Sequence, residues 1–358
     1  MKNWPDNRIQ KLFNIDVPLI QAPMAGVDSV ELAAEVSNAG GLGSLACTLF
    51  SVTQLKDEFK KLRSLTARPV NLNFFCHENP ENTETLQEKW KKHLSKYYIE
   101  LGIDPNASYA ATTRAPFNEE YCSVVEELRP EVVSFHFGLP AADLVKRLRQ
   151  AGCKIISSAT TVAEARWLEA RGCDAIIAQG FEAGGHRGSF LTDDMAAQVG
   201  TMALVPQTVD AVKIPVIAAG GITDARGIAA SFFLGACGAQ LGTAYLFCPE
   251  AKVSKLYLQG LQQTTDDQTV LTNVYSGKPA RGIRNRFIEQ EGPISEMAPP
   301  FPFASPAVNP LRKKSEELGL TDFVQMWSGQ SAALGQSLPA YELTKKLAQD
   351  TLELLGNK

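Results

Sequence analysis

Short, almost wholly apolar runs recur along the chain, separated by stretches with helical spacing. Eight runs carry strand-type residues: 19–22, 43–46, 70–75, 132–137, 155–158, 175–179, 216–219 and 239–242. They are apolar at nearly every position rather than at every second one, as parallel strands covered on both faces require. Between them the period lengthens to that of an amphipathic helix. Helices are predicted over 30–39, 141–151, 162–171 and 225–234, each followed by a glycine (Gly40, Gly152, Gly172, Gly235) suited to the left-handed turn past a helix end. Thr160-Thr161 supplies N-cap hydroxyls to the third. Eight strands alternating with helices predict an α/β fold, a closed (β/α)8 (TIM) barrel.

Two stretches break this rhythm. Residues 79–116 form a polar, helix-prone insertion between the third and fourth strands, with a charged portion over 84–96. From 251 to 330 the chain is rich in Pro, Gly and Arg. Residues 292–310 hold Pro293, Pro299, Pro300, Pro302, Pro306 and Pro310, so no regular helix is expected there. Helices are predicted again over 311–318, 322–327 and 340–355. The expected organisation is a barrel over 1–250 with its insertion, a loop-rich and helical cap over 251–330, and a C-terminal helix over 331–358 packing back on the barrel.

Composition narrows the class. The chain has 358 residues, 44% hydrophobic and 21% charged, with a net charge of −4. That is a soluble globular profile with no basic face for nucleic acid. The pairs Lys60-Lys61, Lys91-Lys92 and Lys313-Lys314 read as solvated helix faces. No apolar run reaches the roughly 18 residues of a membrane span. Met1-Lys2-Asn3-Trp4-Pro5-Asp6 lacks the apolar core of a signal peptide. Seven scattered cysteines without a Cys-x-x-Cys pair fit reduced thiols in a cytoplasmic protein, and the four dispersed histidines argue against a structural metal. A monomer or homodimer is expected.

In a parallel barrel the reactive groups gather at the C-terminal ends of the strands. After the sixth strand stands Gln179-Gly180-Phe181-Glu182-Ala183-Gly184-Gly185-His186-Arg187-Gly188. Its glycines let backbone approach a ligand, and His186 exchanges protons near neutral pH. After strands seven and eight come Gly220-Gly221 and Gln240-Leu241-Gly242-Thr243. These loops suit a phosphate, held by backbone N–H groups and a short helix start. Ala22-Pro23-Met24 at the first strand end offers an apolar floor for a flat ring. Asn71 and Asn73 share one face of the third strand, where an amide needs a partner. His136 ends the fourth strand, either as a hydrogen-bonded core residue or as a substrate contact. His77 is read as rim or surface, and His93 as solvated. No Gly-x-x-x-x-Gly-Lys-Ser/Thr loop is present, which disfavours nucleoside triphosphate hydrolysis.

The 179–188 stretch resembles the signature of the nitronate monooxygenases, formerly 2-nitropropane dioxygenases. Ala22-Pro23-Met24-Ala25-Gly26, Ser134-Phe135-His136-Phe137-Gly138 and Gln240-Leu241-Gly242-Thr243-Ala244 agree with it. So do Tyr275-Ser276-Gly277-Lys278-Pro279-Ala280-Arg281-Gly282 and Trp327-Ser328-Gly329-Gln330, which point to the class I branch. The resemblance runs from about residue 7 to 355. It implies non-covalent FMN lined by Asn73, Gln179, Gly184, Gly185, Gly221 and Gln240 through Thr243, with His186 as the active-site group. It also implies oxidation of an anionic alkyl nitronate, such as propionate 3-nitronate, by O2 to an aldehyde or ketone plus nitrite, without a nicotinamide reductant. A cationic or hydrogen-bond-donating His186 would stabilise the anion, and an unprotonated one would deprotonate a neutral nitroalkane.

One departure stands out. The family carries tyrosines and a lysine in the proline-rich cap, whereas residues 292–310 here contain neither and offer Phe301, Phe303, Ser305 and Asn309. Tyr109, Lys278 and Arg281 are the candidates to replace them. Two other readings stay open: an FMN barrel reducing an enoyl thioester or quinone with NAD(P)H, and a flavin-free barrel for a phosphorylated metabolite. No strand ends in the lysine a Schiff-base aldolase would need.

Overall fold

The computed structural model describes residues 4–81, 83–107, 114–192 and 194–356. Among the described residues there are eleven strands: β1 (Leu19–Gln21), β2 (Gly43–Ala46), β3 (Val70–Phe75), β4 (Val132–His136), β5 (Lys154–Ala159), β6 (Ala175–Gln179), β7 (Gly185–His186), β8 (Val216–Ala219), β9 (Gly238–Leu241), β10 (Thr269–Thr272) and β11 (Ala280–Ile283). Eight form one parallel sheet in the order β1-β9-β8-β6-β5-β4-β3-β2. The sheet closes where Ile20 bridges Leu42, and the Gln21 side chain reinforces the seam by accepting from the Ser44 amide at 2.7 Å. This is the predicted (β/α)8 barrel, and each predicted apolar run holds one of its strands.

The barrel's inner and outer faces are both apolar, which accounts for the continuous hydrophobic runs. Ile20, Val132, Ile156, Ile177 and Ile217 pack in one cluster. Leu45, Leu72, Val133, Ile155 and Ile176 meet the surrounding helices in another. Gly43 marks how tightly strand and helix approach, because a Cβ there would stand 1.9 Å from the Ala33 carbonyl oxygen. The helices start where hydroxyls and amides satisfy free N–H groups: Ser29 accepts from Leu32, Ser51 from Gln54, and Thr161 from Glu164.

The insertion folds as helix Glu84–Glu100 and shares an apolar cluster with the cap, in which Trp90, Leu94 and Tyr98 meet Phe287, Leu311 and Phe323. His93, expected to be solvated, instead stacks on Trp90 at 5.7 Å and pairs with Glu291. The C-terminal helix Ala340–Leu354 packs on helices Val30–Asn38 and Ala225–Phe233, and Thr344 Oγ1 lies 2.9 Å from the Tyr245 hydroxyl.

Two cap expectations are corrected. Helix Ser305–Glu317 begins inside the proline-rich segment. Pro306 sits in its first turn, where a missing N–H costs nothing, and Pro310 removes a single intrahelical bond. Residues 322–327 are not helical, because their backbone serves β11: the Ile283 amide donates to the Met326 carbonyl at 2.8 Å, and Trp327 bridges Gly282. Among the described residues no helix is long and apolar enough to cross a membrane.

Candidate active site

A deep cavity opens at the C-terminal mouth of the barrel, with about 1490 Å³ of atom-free space when the part open to solvent is counted. It brings together Ala22, Pro23, Met24, Asn73, His136, Gln179, Gly184, Gly185, His186, Gly220, Gly221, Gln240, Gly242 and Thr243. Leu241, Lys278 and Arg281 fall outside this lining, Arg281 because its buried guanidinium donates to the Phe181 and Thr269 carbonyls. Leu241 is fully buried, because alternation along β9 turns it away from the side that Gln240 faces. Lys278 lies beside the cavity, with its ammonium 5.1 Å from the Phe137 ring centroid. Tyr109 lies outside the described residues.

His186 is not on a loose loop. It forms the two-residue edge strand β7, paired antiparallel with β11 so that His186 faces Ala280 and Gly185 faces Arg281. Its carbonyl accepts from Gln179 Nε2 at 3.0 Å and from His136 Nε2 at 3.1 Å. Gln179 Oε1 in turn accepts from Gly188 N at 2.8 Å and from Arg187 Nη1 at 3.2 Å. Buried Arg187 also donates to the Gln179 and Gly180 carbonyls. The His-Arg neighbours of the sequence therefore divide the work: Arg187 folds the turn that presents His186.

The hydrogen-bond network fixes the tautomer of His136. A carbonyl only accepts, so His136 carries its proton on Nε2, and its Nδ1 accepts from Ser158 Oγ at 3.0 Å. With both nitrogens engaged and its pKa lowered by burial to about 4, His136 is a neutral positioning residue. It borders the cavity but has no nitrogen left for a substrate. Ser276 Oγ lies 2.9 Å from His186 Nε2 and 3.2 Å from the Lys278 carbonyl; with its hydrogen on the carbonyl it accepts from His186 Nε2, the arrangement that leaves the lone pair of the ring on Nδ1. Burial, then the charge of Arg114 and further cationic neighbours, hold the His186 pKa well below its usual value. Of the two states weighed above, this setting favours the neutral ring, and positive charge at the mouth comes from Arg114, Arg312 and Lys278.

Aromatic rings wall this corner. Phe301 and Trp327 stand 5.4 and 5.6 Å from the His186 ring, with Phe75 and Phe137 slightly farther. His77, read as rim or surface, is buried edge-on to Phe301 at 4.8 Å.

The opposite corner is built from β8, β9 and the loops after them. Gly220 and Gly221 adopt φ +112° and +69°, a region L side chains rarely enter. Gly242 leads into the 3-10 helix Thr243–Phe247, whose first amides have no partner within the helix. Thr243 Oγ1 accepts from the Gly329 amide at 2.9 Å, so its own hydrogen is available. Thr223 and Ser331 add two more hydroxyls, 2.6 Å apart. The nearby helix Thr201–Ala211 is already capped, its first amide donating to both Glu182 carboxylate oxygens at 3.0 and 2.9 Å. The amides left open in this corner are therefore those of the loops and not those of that helix. Gln240 Oε1 is buried with no hydrogen-bond partner, an acceptor in need of a donor.

The floor is held by a residue the sequence reading missed. Buried Asp28 accepts from the Met24 amide at 3.1 Å and from the Ala46 amide at 2.7 Å, tying the Ala22-Pro23-Met24 turn to the end of β2. Burial raises its pKa to about 7. Asn73 donates to Ser134 Oγ at 2.9 Å and borders the cavity, while Asn71 donates to Ser44 Oγ deeper in the barrel. Among the described residues no group of three or more His, Cys, Asp or Glu is arranged to hold a metal ion.

Fold and site together define a barrel oxidoreductase with its machinery at the strand C-termini. A family model described as nitronate monooxygenase matches residues 6–350. The nitronate monooxygenase of Pseudomonas aeruginosa is 40% identical over 349 residues, covering 96% of this chain and 99% of that one. A probable nitronate monooxygenase of Staphylococcus saprophyticus is 40% identical, covering 98% of each chain. Among solved structures, the nitroalkane oxidase from Streptomyces ansochromogenes superimposes with a TM-score of 0.88 at 36% identity, covering 98% of this chain and 99% of its own. FabK from Thermotoga maritima follows with a TM-score of 0.77 at 27% identity, covering 99% and 98%. The chain belongs to the nitronate monooxygenase family.

Proposed function

We propose that the protein binds FMN in the barrel mouth and oxidises alkyl nitronates with O2, releasing an aldehyde or ketone and nitrite. The observation that carries this reading is one cavity with two chemically distinct ends. One end has glycine-lined loops and hydroxyls suited to a phosphate. The other has neutral His186 among cations.

The residues fit the cofactor. Gly220, Gly221, Gly242 and Thr243 would hold the phosphate, Ala22-Pro23-Met24 would floor the ring, and the unpartnered Gln240 Oε1 would accept from a ring N–H. When bound, the flavin supplies the electron-transfer chemistry. The chain's own residues do the rest. Lys278, Arg114 and Arg312 favour an anion at the mouth. With a neutral nitroalkane, His186 Nδ1 takes the α-proton, and the same cations stabilise the nitronate that results. Ser276 holds the ring in the required tautomer, and the aromatic wall keeps water from the reacting carbon.

Oxygen uptake and nitrite release with propionate 3-nitronate test the proposal. Uptake coupled to nitrite, with no requirement for NADH or NADPH, is expected. A protein that consumes no oxygen with any nitronate, yet reduces an enoyl thioester or quinone with NADPH, contradicts it.

A further inference from the structure

A stretch of the cap runs along the cavity wall. Gln325, Trp327, Gly329 and Ser331, alternate residues, border the cavity, while Met326 and Ser328 between them are buried away from it. That spacing lays the chain from the reactive corner to the phosphate corner. At the first, the Trp327 ring stands 5.6 Å from the His186 ring, and the Trp327 carbonyl accepts from the Tyr257 hydroxyl. At the second, the Gly329 amide donates to Thr243 Oγ1 at 2.9 Å and the Gln330 amide to the Glu182 carbonyl at 3.1 Å, and Ser331 Oγ lies 2.6 Å from Thr223 Oγ1. The fit is close: a Cβ at Gly329 would stand 3.0 Å from the Glu182 carbonyl oxygen.

Two of these corner attachments run through hydroxyls that border the cavity. A hydroxyl accepts and also carries one hydrogen. Thr243 therefore keeps its hydrogen after taking the Gly329 amide, and the Thr223–Ser331 pair keeps one of its two. An anion in the corner would end two short chains of hydrogen bonds. A hydroxyl that donates to a phosphate oxygen becomes a better acceptor for the group behind it, so each chain tightens along its length. The far end of both chains is the backbone that carries Trp327.

We propose that residues 325–331 are a strap, with Thr243 and Ser331 as its positioning residues, by which an anion in the phosphate corner seats Trp327 against His186. The proposal rests on the flavin-phosphate reading of that corner and gives the phosphate a second task, setting the reactive corner as well as holding the cofactor. A flavin without its phosphate would fill the ring site and leave the Trp327 wall slack.

The test uses the full chain labelled with 5-fluorotryptophan. Its four tryptophans give four fluorine resonances, and the one missing in Trp327→Phe belongs to Trp327. The chain is loaded with FMN or with riboflavin, which has the ring without the phosphate. The Trp327 resonance should be sharp with FMN, shifted or broadened with riboflavin, and brought back by inorganic phosphate added to the riboflavin form, while the other resonances stay in place. The riboflavin form should oxidise ethyl nitronate about 5- to 100-fold more slowly than the FMN form, because a slight misplacement at a reacting centre costs up to that much, and inorganic phosphate should recover part of the rate. Thr243→Val and Ser331→Ala should each weaken the response of the Trp327 resonance to phosphate. A Trp327 resonance identical in the FMN and riboflavin forms, or one that phosphate moves equally in wild type and both variants, overturns the strap. Inorganic phosphate titrated into the flavin-free chain decides the matter even if riboflavin does not bind: a Trp327 response that both variants lose keeps the strap, and no response removes it. Failure of FMN itself to bind removes the flavin reading and leaves that titration to judge the strap.

Discussion

His186→Asn lowers kcat/KM for a neutral nitroalkane by about 10²- to 10⁴-fold, the usual contribution of a positioned general base, while the cofactor stays bound. Asparagine keeps roughly the ring's near half but is too short to reach Ser276 Oγ, so the contact made by Nε2 is lost together with the Nδ1 base. The backbone pairing of β7 with β11 does not involve the side chain and should hold. A preformed nitronate needs no deprotonation, so its turnover should fall much less. The ratio of the two losses isolates the proton-transfer role from general damage to the site. The pH profile gives a second check. His186 is neutral because burial and Arg114 hold its pKa well below 6.5. Lowering the pH through that depressed value protonates Nδ1 and removes the base, so the acid limb of kcat/KM for the nitroalkane should lie well under pH 6.5. Steady-state rates with nitroethane and ethyl nitronate across pH measure both effects. Equal losses on the two substrates would remove His186 from proton transfer.

Gly221→Asp should yield protein that purifies with little or no flavin, its affinity for FMN reduced by roughly 10²- to 10³-fold through a negative charge added beside Glu182 in the loop proposed to hold the phosphate. The backbone tolerates the change better than most, since φ +69° lies in the left-handed region that Asp and Asn enter more readily than other side chains. The new Cβ meets Glu182 Cβ at 3.1 Å, a close but not prohibitive contact. Gly221→Asn has the same shape without the charge and should lose far less affinity. Fluorescence titration of the apoproteins with FMN separates the two. Equal losses for Asp and Asn would point to strain alone and leave the phosphate unplaced.

Much of this architecture can be read from the sequence because its physics is local. A parallel barrel strand is buried on both sides, and a continuous apolar run such as Ala175–Gln179 has few alternative explanations. Gly184-Gly185-His186 is legible for a similar reason. At Gly184 a side chain would collide with the Gly329 amide at 2.6 Å, so the spacing of glycines records a close approach of two loops.

The rest is set by distant partners. Asp28 looks like any acidic residue near a helix start until β2 is folded beside it. His93 sits in a charged run, and only the arrival of Glu291 makes it a paired group. Residues 322–327 have helical spacing, but β11 takes their backbone for a bridge. Arg312 shares a stretch with two solvated lysines, and nothing in the local pattern says which of the three turns inward. The proline count over 292–310 misled in the other direction. A proline in a first helical turn is no obstacle, and helix Ser305–Glu317 starts there.

The most direct test of the whole account is to mix the purified protein with substrate in the absence of oxygen and follow its visible absorbance. The protein should be yellow, should bleach promptly on addition of propionate 3-nitronate, and should be indifferent to NADH and NADPH. A colourless protein that cannot be reconstituted with FMN, or a yellow one that bleaches with NADPH and ignores the nitronate, would contradict it.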